Sequence, residues 1–420
     1  MDKVSDASDV LCSSGRKREG GRSVNMAATL TALQGVTAAA AYVVNIISSS
    51  TLGSEGRGFL ALGLQLTYLA AVFVVLGIER PFMTHIQLPF AMAFWTFVSF
   101  LRPGAALALL GVVAGAVSIG IGQGVIGIAI VLGSVYALLN GLGKGVRVAA
   151  ISSGNAWPLV VFTLGTQGGM VLLAIILASL SVVSPLAWLG AYTATGLASV
   201  VILVLASKSR SNITVDQESR KVVRSQGLRL LPASIGNTAM VGSDRLILPA
   251  FLGTGALGVY SAVSTVMEMA SWPIAQWVDA SLGRWKGAGN VLRGRDLARL
   301  SAGAVVLSAL IATGVGAVAY ISIVLFLPPE FDQAISLIVP LGISSVIYAL
   351  GRVQQGVLIT RGQAGTVSTV ELLGMVASVV GYLTLIPLLG ISGAPYGAIV
   401  GYSVTAVAGA LALYLPRRQK

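Results

Sequence analysis

The chain has 420 residues, of which 55% are hydrophobic and only 10% charged, and its mean hydropathy is +0.87. A water-soluble fold of this length cannot hide so much apolar surface, and apolar runs of about 18 or more residues recur, long enough to cross ~30 Å of hydrocarbon. This excludes soluble enzymes; the absence of ~10-residue alternating segments excludes a β-barrel, leaving an all-α polytopic membrane protein as the expected fold class.

Residues 1–24 are rich in Ser, Gly and charge and are expected to form a disordered basic tail. Apolar runs then predict twelve spans, near 25–48, 58–78, 104–120, 124–141, 156–179, 185–206, 229–250, 256–279, 300–327, 332–350, 366–387 and 392–415. The first six form an N-terminal lobe, 25–206. A polar, basic linker, 207–228, separates it from a C-terminal lobe, 229–415, and a short tail, 416–420. The stretch 84–101 contains Pro89, Trp95 and four Phe and is borderline in length. It is expected to be an interfacial or re-entrant helix on the cytoplasmic side, not a span. The 51 glycines suit helices packed closely through small-residue faces. The first span follows a basic tail and reads as a retained anchor, not a cleaved signal.

Charge tests this order. With both termini inside, 25 of the 27 basic residues fall in segments on one side, and only Arg57 and Arg245 lie elsewhere. The positive-inside rule requires such an asymmetry, and a thirteenth span at 84–101 would spoil it. The net charge of +12 is then a matter of topology and anionic lipid, not of nucleic-acid binding. The single cysteine, Cys12, permits no intramolecular disulfide. The glycosylation match Asn212-Ile213-Thr214 falls in an expected cytoplasmic loop and is read as accidental.

Enzymatic motifs are missing. There is one histidine, His85, hence no His-rich metal site, and no cofactor is expected. Gly141-Leu142-Gly143-Lys144-Gly145 lacks the spacing, the Ser/Thr after Lys and the preceding strand of a phosphate loop. What the chain does carry is a duplication. Leu52-Gly53-x4-Gly58 recurs as Leu252-Gly253-x4-Gly258, 200 positions on, and each copy is followed at the same offset by an acid, Glu79 and Asp279. Two related apolar halves are the usual plan of a secondary transporter that rocks one half against the other.

Charges within the spans mark candidate sites, since they are expensive there and face a cavity or a partner. Glu268 falls near the midplane of span eight, as an ion-coupling site or as a hydrogen-bonded structural acid, with Pro273 to bend the helix beyond it. In span seven lies the pair Asp244 and Arg245. Neighbours on a helix point ~100° apart and need not pair, and the Arg245 guanidinium suits either bidentate capture of a phosphate or an interhelical salt bridge. The counterpart of Arg245 at the offset of 200 is Asn45; with Gln65 and Asp244 these make the expected substrate-binding set. Glu371 is either inward-facing or snorkelling at a span end. Trp157, Trp188, Trp272, Trp277 and Trp285 lie near span ends and read as an interfacial belt.

Asp244-Arg245 followed by Leu252-Gly253-x4-Gly258-Val259-Tyr260 resembles the start of the second half of bacterial polysaccharide-biosynthesis membrane proteins. Leu52-Gly53-Ser54-Glu55-Gly56-Arg57-Gly58 is similar to that family's signature after its first span, and Leu389-Gly390-Ile391-Ser392-Gly393-Ala394 to its approach to the last. These are the oligosaccharide (O-antigen type) flippases of the multidrug/oligosaccharidyl-lipid/polysaccharide exporter superfamily. The resemblance covers nearly the whole chain from about residue 25. It implies two six-helix bundles around a cavity lined by spans one, two, seven and eight, in the cytoplasmic (inner) membrane of a bacterium. The implied substrate is a polyprenyl-diphosphate-linked oligosaccharide moved to the outer leaflet, with H+ or Na+ as coupling ion. A monomer is expected, working beside a polymerase or glycosyltransferases. Arg245 is the best-placed diphosphate anchor, although the family carries more cavity arginines and lysines than these spans offer. The alternatives are an ion-coupled multidrug or cation antiporter of the same superfamily and a flippase for the peptidoglycan precursor. A glycan polymerase or ligase is disfavoured because the outer loops are short.

Overall fold

The computed structural model describes residues 5–206, 215–287 and 294–414. Among them are α-helices, three short 3₁₀ turns and no strand. The first half contains α1 (Ser5–Val75), α2 (Glu79–His85), α3 (Phe90–Phe100), α4 (Arg102–Gly120), α5 (Gly124–Ser153), α6 (Trp157–Ser179) and α7 (Pro185–Ala206). The second contains α8 (Gln217–Gly242), α9 (Asp244–Glu268), α10 (Trp272–Gly287), α11 (Gly294–Phe326), α12 (Ile338–Thr360), α13 (Ala364–Leu389) and α14 (Gly393–Tyr414).

Among the described residues, nine helical stretches are long and apolar enough to cross a membrane. Three of them, of 48, 63 and 49 residues, are too long for one crossing of ~30 Å at 1.5 Å per residue. Each of these folds back as two crossings, which makes twelve. The reversal of α1 is visible in its contacts. Leu33 and Val75 share one apolar cluster, though a straight helix would hold them about 60 Å apart. The turning points of the first two are the glycines of the duplicated motif, and the third stretch turns near Gly390, with φ 62°. Gly53 has φ 68° and ψ −179°, and Gly253 has φ 83° and ψ 172°. A positive φ with extended ψ is open in practice only to glycine.

The second glycines of the motif join the halves. A Cβ built on Gly58 would lie 1.8 Å from the Thr254 carbonyl oxygen, and one on Gly258 would lie 1.7 Å from that of Ser54. Ser54 and Thr254 are themselves 200 positions apart, so the contact is reciprocal, as a two-fold relation between halves demands. The Glu330 carboxylate, in the 3₁₀ turn Pro329–Leu337, accepts from the Ser54 N–H at 2.7 Å and adds a polar link between lobes. This crossing defines one end of the molecule, called here the hairpin end. The opposite, linker end carries the two acids of the duplication. Glu79 pairs with Lys144 at 2.8 Å and Asp279 with Arg352 at 3.8 Å, each acid meeting the fourth span of its own lobe.

Each lobe has its own core. In the first, Phe82, Phe94 and Phe97 are fully buried at the linker end, with Phe82 and Phe97 edge-to-face at 5.3 Å. Toward the hairpin end, Trp188 packs with Leu60 and Met170. In the second, Tyr260, Phe331 and Tyr382 anchor the largest cluster. Leu107, Leu109, Leu110, Val113 and Val117 of α4 point outward, as a lipid-facing span requires.

Three sequence expectations change, and a fourth gains detail. The segment 5–24, expected to be disordered, continues α1 as helix; extending a formed helix carries no nucleation cost. Residues 1–4 and the tail beyond Tyr414 lie outside the described residues. Of the expected linker 207–228, residues 207–214 lie outside as well. Helix resumes at Gln217, where the Asp216 carboxylate caps the Ser219 N–H at 3.0 Å and is held below the usual carboxylate range by its bonds to Ser219. Helix α3, at 11 residues, is too short to span, as expected of 84–101. Its Ala93, Phe94, Phe97 and Phe100 are buried, Phe97 and Phe100 meeting Phe82 of α2 and the helix packing on α5. Trp188 is buried, not interfacial, because its indole N–H reaches the Val182 carbonyl at 2.9 Å.

The crossing makes a prediction. Gly58→Ala or Gly258→Ala would force backbone apart from backbone and destabilise the protein by about 1–3 kcal/mol. Gly35→Ala, where a Cβ meets nothing within 4 Å, would be neutral or mildly stabilising. Thermal unfolding of the three variants in detergent checks both statements.

Candidate functional site

A cavity of about 370 Å³ lies between the lobes, within the size range of small-molecule clefts. Its walls come from α1, which supplies spans one and two, from α5, α6 and α7, and from α9 and the start of α10. The first lobe thus contributes more of the lining than spans one, two, seven and eight alone would give. Three charged side chains line it: Arg57, Arg245 and Glu268.

Arg245 sits where span seven is interrupted. Helix α8 ends at Gly242 and α9 starts at Asp244, with Ser243 between them. The Tyr382 hydroxyl donates to the Met240 carbonyl at 3.2 Å, and the Arg245 N–H is capped by the Asp244 carboxylate at 2.7 Å. The Arg245 side chain donates through Nη2 to the Glu268 carboxylate and, at 3.3 Å, to Ser264 Oγ. Its Nε is buried without a hydrogen-bond partner. Glu268 closes α9, and the 3₁₀ turn Met269–Ser271 follows before Pro273. Proline at 273 cannot donate back to residue 269, so the bend expected from Pro273 falls on the turn next to Glu268. The Glu268 side chain keeps 31% of its surface exposed against 11% for Arg245, so the carboxylate is the more accessible partner.

Asp244 does not face this cavity. Its carboxylate accepts from the Tyr260 hydroxyl at 2.5 Å and lines a second pocket of about 120 Å³ inside the second lobe, which Glu268 also borders. The two neighbours therefore do not pair through their side chains, and the ion pair is the interhelical one, Arg245 with Glu268.

Asn45 does line the main cavity, but its amide is engaged on both sides. It donates to the Ala262 carbonyl of the other lobe at 2.7 Å and accepts from Arg57 Nη2 at 2.6 Å. Gln65 is not among the lining residues. It is buried at the lobe interface against Gly242, where a Cβ would lie 1.8 Å from its amide nitrogen. Glu371 does not snorkel: it is buried in the second lobe, accepts from Asn237 at 3.3 Å and leaves Oε2 without a partner.

Arg57 is the functional candidate that sequence reasoning missed. It is 5% exposed, lines the cavity and has an unpartnered Nε. The signal was present: Arg57 and Arg245 are the two basic residues that break the one-sided charge pattern, and both face this cavity. With two guanidiniums against one carboxylate, the lining carries a formal excess of positive charge. The remaining wall is neutral, part apolar and part polar, with Tyr68, Tyr136 and Tyr192 in a tilted row (centroids 6.4 and 5.9 Å apart) beside Asn140 and Gln167.

No protein-family model and no curated protein matches this chain. Solved structures do. One is described as the inward-facing conformation of a multidrug resistance MATE family transporter of the MOP superfamily. It is 14% identical, with 89% of this chain and 93% of that one covered at a TM-score of 0.64. The outward-facing conformation of such a transporter, also 14% identical, covers 93% and 94% at 0.55. The lipid II flippase MurJ, in an inward closed conformation, is 9% identical and covers 92% and 87% at 0.65. At such identities the likeness establishes the fold, which is the MATE/MurJ-like transporter fold.

The ion pair makes a second prediction. Arg245→Ala strands Glu268 and would cost roughly 1.5–3 kcal/mol, the value of a charged hydrogen bond. The double variant Arg245→Ala/Glu268→Ala would recover part of that loss, because no buried charge is left alone. Unfolding midpoints of the wild type, both single variants and the double variant measure the coupling.

Proposed function

We propose that this protein is an alternating-access flippase. It carries a polyprenyl-diphosphate-linked oligosaccharide from the inner to the outer leaflet of the bacterial cytoplasmic membrane, with its basic linker end in the cytoplasm. The observation that carries the reading is the charge of the cavity, the buried Arg57 and the part-buried Arg245 against one glutamate. An anion is drawn into such a chamber and a cation is not. Guanidiniums also match phosphate oxygens in bidentate geometry, and the unpartnered Nε atoms of Arg57 and Arg245 have donors to give. The fold supports transport by rocking of two lobes, and the twelve crossings with both termini on one side agree with the one-sided basic residues.

Glu268 is the ion-coupling residue in this reading. While it holds Arg245, the guanidinium is partly spoken for; when a phosphate takes Arg245, the carboxylate is left beside the pocket that contains Asp244. Two carboxylates sharing a buried pocket favour uptake of H+ or Na+. That same pair of acids supports a second reading, an ion-coupled exporter of cationic amphiphiles, in line with the multidrug transporters that share the fold.

Binding separates the two. In nanodiscs, a polyprenyl diphosphate would bind the wild type, and Arg57→Ala or Arg245→Ala would each weaken it roughly 10- to 100-fold. Binding of a cationic dye, unaffected by either variant and with no binding of the diphosphate, would favour the second reading. Glu268→Gln would abolish any pH or Na+ dependence of transport in proteoliposomes; an unchanged dependence would remove Glu268 from coupling.

A further inference from the structure

The cavity is divided by chemistry. All three of its charges lie on the two helices that cross at the lobe interface: Arg57 on α1, and Arg245 and Glu268 on α9. The rest of the wall, from α5, α6 and α7 with Tyr68 of α1, has no charge and sets a group of polar side chains among Leu139, Phe162 and Met170. It presents Tyr68, Tyr136, Asn140, Gln167, Tyr192 and Thr195. These residues occupy the interiors of membrane-spanning helices, where neutral hydrogen-bonding side chains face a cavity or a partner, not lipid.

A structural role does not account for the group. Tyr68 is 40% exposed although it lies midway along its span, so its ring is offered to the cavity and not consumed in a core. Asn140 uses its amide nitrogen on the Tyr136 carbonyl at 3.0 Å, and Thr195 returns its hydroxyl proton to the Ala191 carbonyl at 3.0 Å. Both bonds leave oxygen lone pairs turned to acceptor duty, while the phenols and the Gln167 amide can donate as well as accept. The three rings lean on one another at 52° and 55°, which fixes them as a stiff platform with low entropy to lose on binding.

We infer that this wall is a second subsite, for the pyranose rings of an uncharged glycan, set beside the arginines that take the anion. Resting as it does on the flippase reading, the inference adds which part of the head group goes where. Pyranoses have an apolar C–H face and a rim of hydroxyls that both donate and accept. Aromatic rings flanked by amides and hydroxyls complement both features.

The test uses two probes, a bare polyprenyl diphosphate and the same lipid carrying a neutral disaccharide, against the full-length protein in nanodiscs. The variants are Tyr192→Ala, Gln167→Leu and Arg245→Ala, with Tyr192→Phe as a conservative control for folding. The inference predicts that Tyr192→Ala and Gln167→Leu weaken binding of the glycosylated lipid about tenfold while leaving the bare diphosphate unchanged. Tyr192→Phe retains most of the affinity, and Arg245→Ala weakens both probes. Equal affinity of wild type for the two probes, or equal loss of both in the wall variants, would overturn the subsite. Failure of wild type to bind either probe would instead overturn the flippase reading.

Discussion

A glycine lets a neighbouring helix bring its backbone into the space a side chain would fill, and this protein uses that twice at one point. Gly58 lies under the Thr254 carbonyl, and Gly258 under that of Ser54. Each pair lies five or one residues beyond a glycine whose positive φ turns the chain back on itself. The crossing seals the hairpin end and sets the depth of everything below it. Arg57 immediately precedes Gly58, and Asn45, Arg245 and Glu268 fall within the next turns of the helices on either side. Polar links add to it, Ser54 to Glu330 and Asn45 to Ala262, and Ala61 of α1 is buried in the cluster of Tyr260 and Phe331, so the lobes share apolar core as well as backbone contact.

The halves share a backbone plan but not a charge plan. At the offset of 200, Arg245 answers to Asn45, Arg57 to Leu257 and Glu268 to Tyr68. Duplication supplied the geometry, and divergence distributed the chemistry: arginines at the seam, carboxylates toward the second lobe, neutral aromatic and amide groups on the first. An ionised group held in a membrane must be balanced by a partner or by ligand. The Arg245–Glu268 pair balances itself, whereas Arg57 donates to one neutral amide oxygen, that of Asn45.

Much of this was legible in the chain. Run lengths predicted twelve crossings, and the one-sided basic residues predicted that 84–101 would not add another; α3 has 11 residues and does not. The repeated Leu-Gly motif marked both turning points. What was hidden depends on rotation about helix axes, which spacing alone leaves open. Gln65 and Asn45 are both polar and both near the seam, yet one packs against Gly242 and the other bridges the lobes. Asp244 and Arg245 are adjacent, yet one faces the second lobe and the other the cavity. Arg57 was hidden for another reason: it sits close to a span end, where a basic residue usually needs no explanation. Tyr136 and Tyr192 look like ordinary core aromatics until the cavity beside them is seen.

The claim on which the account stands is that the chamber is built for an anionic head group held by arginines from both lobes. An experimental structure with a polyprenyl diphosphate in a lipid nanodisc tests it most directly. Diphosphate density between the Arg57 and Arg245 guanidiniums, with Glu268 displaced from Arg245, is the predicted result. Density for the phosphates elsewhere, with the Arg245–Glu268 pair intact and the chamber still vacant, would contradict it.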